Sequence, residues 1–342
     1  MIFFLMARPD SQKYPHNDNA NYNCHNWKIV GYFAIMMIRI HAILACRREK
    51  TRDGMGQMKL FRFGEAGKER TGVVLEDGRR VEVSALAPEF DAAFWASGGA
   101  GRLRAALRDG VEKLPEVPAG VRLGPPVVMP SKIVCAGMNY AAHAKEFQNR
   151  AAPREPVLFL KAPSSVCGPE DDLVFPPGAD KLDYEVELAV VIGREARHLK
   201  EDEAPEHIAG FTMINDVSER AWQKELEGQW TKGKSHDGFA PLGPVLVTPD
   251  ELDDVDSLAL WLDVNGEPRQ RGNTRDMLFS VPFLIAYISR FMTLLPGDIV
   301  ATGTPSGVAM GMEPPQWLKT GDLIEMGIDG IGCSRRRVVA GI

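Results

Sequence analysis

Residues 182–193 read LDYEVELAVVIG, and the fold turns on how that stretch is taken. Its second half is rich in Val and Ile, which favours a strand. If Leu182–Ile192 is extended, the period of two sets Asp183, Glu185 and Glu187 on one face and Tyr184, Val186 and Leu188 on the other. The continuation LAVVI is apolar on both faces and therefore reads as buried. Two readings stand side by side. The acids line a solvated edge, or they approach the interior and need a counter-charge. A hard divalent cation is the economical counter-charge, because Mg²⁺, Mn²⁺ and Ca²⁺ take oxygen ligands and two or three carboxylates suffice.

Downstream, Asp216 ends the apolar run GFTMIN and opens NDVSERAWQ. Alone it reads as a turn or a helix N-cap; with the acidic strand it offers a third carboxylate. A helix starting at Asp216 would carry Arg220 and Gln223 on the face where Asp216 points. Upstream, the strand-like SKIVCAG leads into NYAAHAKEF, where His143 and Glu146 stand one helical turn apart. A carboxylate so placed holds an imidazole in one tautomer and raises its basicity, as a general base acting on water requires, although many surface helices carry the same pair idly.

Residues 228–235, GQWTKGKS, satisfy the G-x-x-x-x-G-K-[ST] phosphate-loop pattern. That pattern works only between an apolar strand and a departing helix. Here the polar QKELEG, read as helical, precedes it and the Gly- and Pro-rich HDGFAPLGP follows, so nucleotide binding is rejected and Lys234 needs another role.

The flanks supply the rest of the architecture. A hairpin turn at Asp77-Gly78 lies within RTGVVLEDGRRVEVSAL, and a helical stretch runs from about Phe90 to Arg108. The Pro-rich connector LPEVPAGVRLGPPVVMP separates a small N-terminal domain, 58–126, from a catalytic domain, 127–342. Past it, closely spaced strand-like runs leave no room for regular βαβ units. They predict an α+β, mostly β fold with a mixed sheet rolled into a sandwich or barrel. Residues 1–57 differ in composition, holding five Asn, eight Lys/Arg and four Asp/Glu; they read as an extension upstream of a natural start at Met58. Their apolar run 29–45 is broken by Arg39 and His41 and is marginal as a membrane span.

With 44% apolar and 25% charged residues and a net charge of −6, the 342-residue chain is globular and gives no basis for nucleic-acid affinity. Five scattered cysteines, without C-x-x-C spacing, fit a reducing compartment and exclude a disulfide framework. We therefore expect a cytoplasmic protein without membrane or nucleic-acid partners.

From Met58 onward the chain resembles the fumarylacetoacetate hydrolase family. The resemblance rests on DYEVELAVVIG, INDVSERAWQ, QWTKGKSHDGFAPLGP and DIVATGTPSGV, which stand in the family's order. Through SERAWQ, GQWTKGKS and ISRFM it looks nearest to bacterial ureidoglycolate lyase and 2,4-diketo-3-deoxy-L-fuconate hydrolase members. The resemblance implies a β-roll catalytic domain, usually homodimeric, that holds Mg²⁺ or Mn²⁺, with Ca²⁺ admissible, on Glu185, Glu187 and Asp216. It implies a His143–Glu146 dyad on a lid segment, pocket roles for Lys234, Gln223 and Arg220, and Thr304 near a substrate carboxylate. Asp183 has no ligand role in that pattern, and His236 departs from the Cys or Phe usual at its position. The implied activity is hydrolytic or lytic C–C cleavage of an acylpyruvate-like 2-oxo carboxylate. The same site would serve an oxaloacetate decarboxylase, a ureidoglycolate lyase, a hydroxyheptadienedioate isomerase or a non-catalytic carboxylate binder.

Overall fold

Val186–Ile192 is buried at every position, the acidic Glu187 as well as the apolar run Leu188–Ile192. It pairs antiparallel with Ile208–Asn215 on one side and Ile299–Ala301 on the other. The computed structural model describes residues 58–108, 110–146 and 152–341, so the extension read at 1–57 and its apolar run lie outside the described residues. Among the described residues no helix is long and apolar enough to cross a membrane.

Strands predominate, and the fold is α+β. The main sheet has ten strands in the order Arg80–Glu82, Arg70–Val74, Lys59–Phe63, Leu246–Val247, Ile208–Asn215, Val186–Ile192, Ile299–Ala301, Ile133–Gly137 and Val157–Lys161, with Leu123–Gly124 added beside Lys59–Phe63. The sheet is mixed, because Ile299–Ala301 runs parallel to Ile133–Gly137 while its other neighbour is antiparallel. A second sheet of five strands runs in the order Glu267–Asn273, Ala259–Val264, Leu323–Ile328, Gly332–Ala340 and Leu173–Phe175.

Alternation along Val186–Ile192 divides the core in two. Val186, Leu188 and Val190 join Leu260, Leu262 and Met326 of the second sheet. Ala189 and Val191 join Ile133, Cys135 and Ala301 in the core that Phe90, Phe94 and Trp95 cover from the other side. Glu187 shares the parity of Ala189, so its carboxylate lies on the face turned away from the second sheet.

The hairpin at Asp77-Gly78 joins Arg70–Val74 to Arg80–Glu82, and Gly78 supplies the φ of +84° that the turn needs. The helix expected over 90–108 is two helices, Ala92–Ala96 and Gly99–Arg108. Phe90 precedes the first, whose N-cap is Asp91. The break falls where Gly98 turns to a φ of +71° and Gly99 packs on the Phe94 ring, so close that a Cβ would stand 2.3 Å from it.

Candidate active site

The strand read as continuous over Leu182–Ile192 is interrupted after Asp183 and resumes at Val186. Side chains supply what the ladder lacks there. Asp183 Oδ1 accepts from its neighbour Tyr184 N at 2.8 Å, Asn215 Oδ1 from Glu185 N at 2.8 Å, and Gln270 Oε1 from Val186 N at 3.0 Å. Leu182–Asp183 pairs instead with Ser218–Glu219. That pairing keeps the chain extended past Asp216, so the helix expected from Asp216 begins at Arg220, with Glu219 as its N-cap accepting from Trp222 N at 2.6 Å. The helix stops at Lys224, inside the QKELEG run expected to be helical, so only Gln223 and Lys224 of that run are helical.

Glu185, Glu187 and Asp216 are 5%, 2% and 0% exposed, and one oxygen of each lies within 4.8 Å of the others. Asp216 N donates to Glu185 O at 2.8 Å, tying the two segments together. Burial alone would raise the Glu185 carboxyl, but the charges of Arg220 and Lys234 outweigh it and hold the group ionised. Glu187 goes the other way: burial and then the charges of Asp216 and Glu185 push its carboxyl well up.

Cations close around the acids. Lys234 Nζ donates to Glu185 Oε2 at 2.7 Å and to Asp216 Oδ2 at 2.6 Å. Burial opposes its charge, yet Asp216 and Glu185 raise it overall. Lys234 closes a short helix, Trp230–Lys234, packed on Arg220–Lys224. Arg220 Nε donates to Asp183 at 2.8 Å, Nη2 to Glu185 Oε1, and Nη1 to Gln223 Oε1 at 3.0 Å. Asp183 is fully buried and also accepts from the Ala309 and Met310 amides at 2.7 and 3.1 Å, so it is an interior partner of Arg220 and no surface acid.

His143 Nδ1 lies 2.9 Å from Glu146 Oε2, on the helix Ala141–Glu146, and Gly307 N donates to the other Glu146 oxygen at 2.7 Å. The dyad lines a cavity of about 400 Å³ together with Glu185, Glu187, Lys234, Gln223 and Thr304. Phe159, Trp230, Met138 and Met310 make its apolar wall, and Lys224 also lines it. Thr304 has its one hydroxyl proton on Val186 O at 2.9 Å and accepts from Gln270 Nε2 at 2.7 Å. Cys135 is buried behind the acids; burial, with Asp216 and Glu187 nearby, pushes its thiol well up and removes it as a nucleophile.

The structure thus gathers eight of the nine residues singled out from the sequence at one cavity, with Asp216 directly behind Glu185 and Lys234. Sequence reasoning missed Lys161. Its Nζ donates to Asp216 Oδ1 at 2.6 Å and to Val217 O at 3.1 Å, and burial lowers its basicity against the opposing pull of Asp216. A lysine closing the apolar run VLFLK was the available signal. The Gly303 amide, 2.8 Å from Glu187 Oε2, left no signal beyond a glycine in the TGTP turn.

A family profile described as Fumarylacetoacetate (FAA) hydrolase C-terminal matches residues 132–339. A Burkholderia multivorans protein bearing the provisional name of a hydrolase is 47% identical over 276 residues, which are 80% of this chain and 96% of that protein. The solved fumarylacetoacetate hydrolase of Exiguobacterium antarcticum is 40% identical with a TM-score of 0.71, covering 83% of this chain and all of that one. The maleylpyruvate hydrolase of Sphingobium sp. SYK-6, solved in complex with manganese (II) ion and pyruvate, is 32% identical with a TM-score of 0.69 and covers 83% of this chain and all of that one.

Proposed function

The chain belongs to the fumarylacetoacetate hydrolase family, and from that premise we propose that it is a divalent-metal-dependent enzyme cleaving a C–C bond in an acylpyruvate-like 2-oxo acid. The observation that carries the reading is the convergence of three buried carboxylates within 4.8 Å at a cavity that also holds the His143–Glu146 pair. The donor set fits a hard cation, since it is all oxygen, anionic and buried. Glu185, Glu187 and Asp216 would hold it. When bound, Mg²⁺ or Mn²⁺ supplies polarisation of the 2-oxo group and stabilisation of enolate charge.

The side chains divide the remaining work. With Nδ1 engaged by Glu146, His143 presents Nε2 as the basic nitrogen, and it takes the proton of the attacking water. The Lys234 ammonium offsets charge developing on the enolate oxygen. Arg220 gives each of its nitrogens to a protein partner, so it acts on substrate through Gln223: by claiming Oε1 it leaves the Gln223 NH₂ as the end that meets a substrate oxygen. Thr304, whose hydroxyl is spent on Val186 and Gln270, contributes shape at the substrate carboxylate. The aromatic wall of Phe159 and Trp230 takes the acyl tail.

Decarboxylation of oxaloacetate, lysis of ureidoglycolate and isomerisation of a hydroxyheptadienedioate pass through related charge and belong in the same test. The assay is a panel of acylpyruvates, a 2,4-diketo-3-deoxy sugar acid and those three compounds, run with Mg²⁺ or Mn²⁺ and after chelation. Turnover of an acylpyruvate that chelation abolishes is expected. Turnover untouched by chelation refutes the metal dependence, and silence across the panel with ligand-induced thermal stabilisation favours a binding protein. The reading includes a cytoplasmic homodimer, checked by light scattering.

A further inference from the structure

We propose that Lys161 sets the metal preference of this site by making Asp216 a one-oxygen ligand. The inference rests on the metal-dependent reading above and concerns how the three carboxylates are offered. Each has one oxygen tied to a protein donor other than Lys234. Arg220 Nη2 takes Glu185 Oε1, the Gly303 amide takes Glu187 Oε2 at 2.8 Å, and Lys161 Nζ takes Asp216 Oδ1 at 2.6 Å. The remaining oxygens of Glu185 and Asp216 face a common point, since a single ammonium, that of Lys234, reaches both at 2.7 and 2.6 Å.

That arrangement distinguishes cations by how they use carboxylates. Mg²⁺ and Mn²⁺ are satisfied with six oxygens and take one from each carboxylate, whereas Ca²⁺ takes six to eight and gains them through bidentate carboxylates. Tying down the second oxygen therefore works against Ca²⁺ in particular. Of the three ties, the Gly303 amide is backbone, and Arg220 lines the cavity and orients Gln223. Lys161 is 1% exposed, lies outside the cavity lining, and is pinned a second time by Val217 O at 3.1 Å. It is the tie that can be cut without altering the substrate pocket, and it acts as a positioning residue.

The experiment measures dissociation constants for Mn²⁺ and for Ca²⁺ by calorimetry on the full chain, for wild type, Lys161→Met and Lys161→Gln. Wild type should prefer Mn²⁺. In Lys161→Met the preference should narrow by on the order of ten-fold, through Ca²⁺ gaining relative to Mn²⁺. Lys161→Gln, too short to reach Oδ1 as lysine does, should narrow it as well, and it carries the comparison if Lys161→Met does not fold. A mere change of charge shifts both ions alike, so an unchanged Mn²⁺/Ca²⁺ ratio in the folded variants overturns the proposal. Wild type that binds neither ion overturns the metal-dependent reading instead.

Discussion

Replacing Gly233 by alanine sets two forces of opposite sign against each other. Within a helix, alanine is favoured over glycine by about 1 kcal/mol, so propensity alone predicts a more stable protein. Packing predicts the reverse. A Cβ on Gly233 would stand 2.4 Å from Glu219 O, 2.5 Å from Gln223 N and 2.7 Å from Gln223 Cβ. Reaching ordinary contact at 3.4 Å needs a shift of roughly 1 Å, and two of those atoms are backbone that cannot rotate away. Overpacking of this kind costs about 1–3 kcal/mol, which leaves a net destabilisation of up to about 2 kcal/mol. The functional cost is larger, because Lys234 is the next residue and its bonds to Glu185 and Asp216, at 2.7 and 2.6 Å, do not survive that displacement. A misplacement of about 1 Å at a reacting centre costs on the order of 100-fold, the loss expected in kcat/KM. Urea unfolding and steady-state kinetics on the best substrate of the panel read the two effects separately. A variant at least as stable as wild type with full turnover would show that the helices are not in the close contact that requires this glycine.

Glu185→Ala should abolish Mn²⁺ binding and turnover together, and it leaves Arg220 and Lys234 short of a buried partner at a stability cost of about 3–5 kcal/mol; calorimetry showing wild-type affinity would remove Glu185 from the ligand set. His143→Gln should reduce kcat by on the order of 10²- to 10⁴-fold with Mn²⁺ affinity unchanged, and full activity in that variant rules out the proposed base. Burial pushes the Glu251 carboxyl up from 4.5 to about 7, although it accepts from the Met58 amide. The unfolded chain therefore ionises first as pH rises, so this group costs stability progressively from pH 4.5 through about 7. Glu251→Gln should flatten that decline; a Tm difference from wild type that is the same below pH 4.5 and above pH 7 contradicts the assignment.

What could be read from the sequence was what repeats locally. The apolar run Leu188–Ile192 announced a buried strand, and the acids that lead into it announced a charge problem that the interior had to solve. The interruption between Asp183 and Val186 was not readable, because its cause lies in Asn215 and Gln270, which are 30 and 84 positions away from the amides they accept from. The start of the helix at Arg220 was displaced for the same reason, a pairing of Ser218–Glu219 with distant residues. Lys161 and Asp216 are 55 positions apart, and only the fold reveals that they share a hydrogen bond. The split of the 90–108 helix was different in kind: Gly98-Gly99 stood in plain view as a breaker.

The parallel pairing of Ile299–Ala301 with Ile133–Gly137 bears on how the protein is made. During synthesis Val186–Ile192 and Ile133–Gly137 leave the ribosome well before the strand that separates them, and neither can be bridged until it emerges. A nascent chain at that stage presents two open edges and an acidic cluster still lacking the Gly303 amide. That interval is when the polypeptide most needs chaperone shelter from its neighbours on the same messenger.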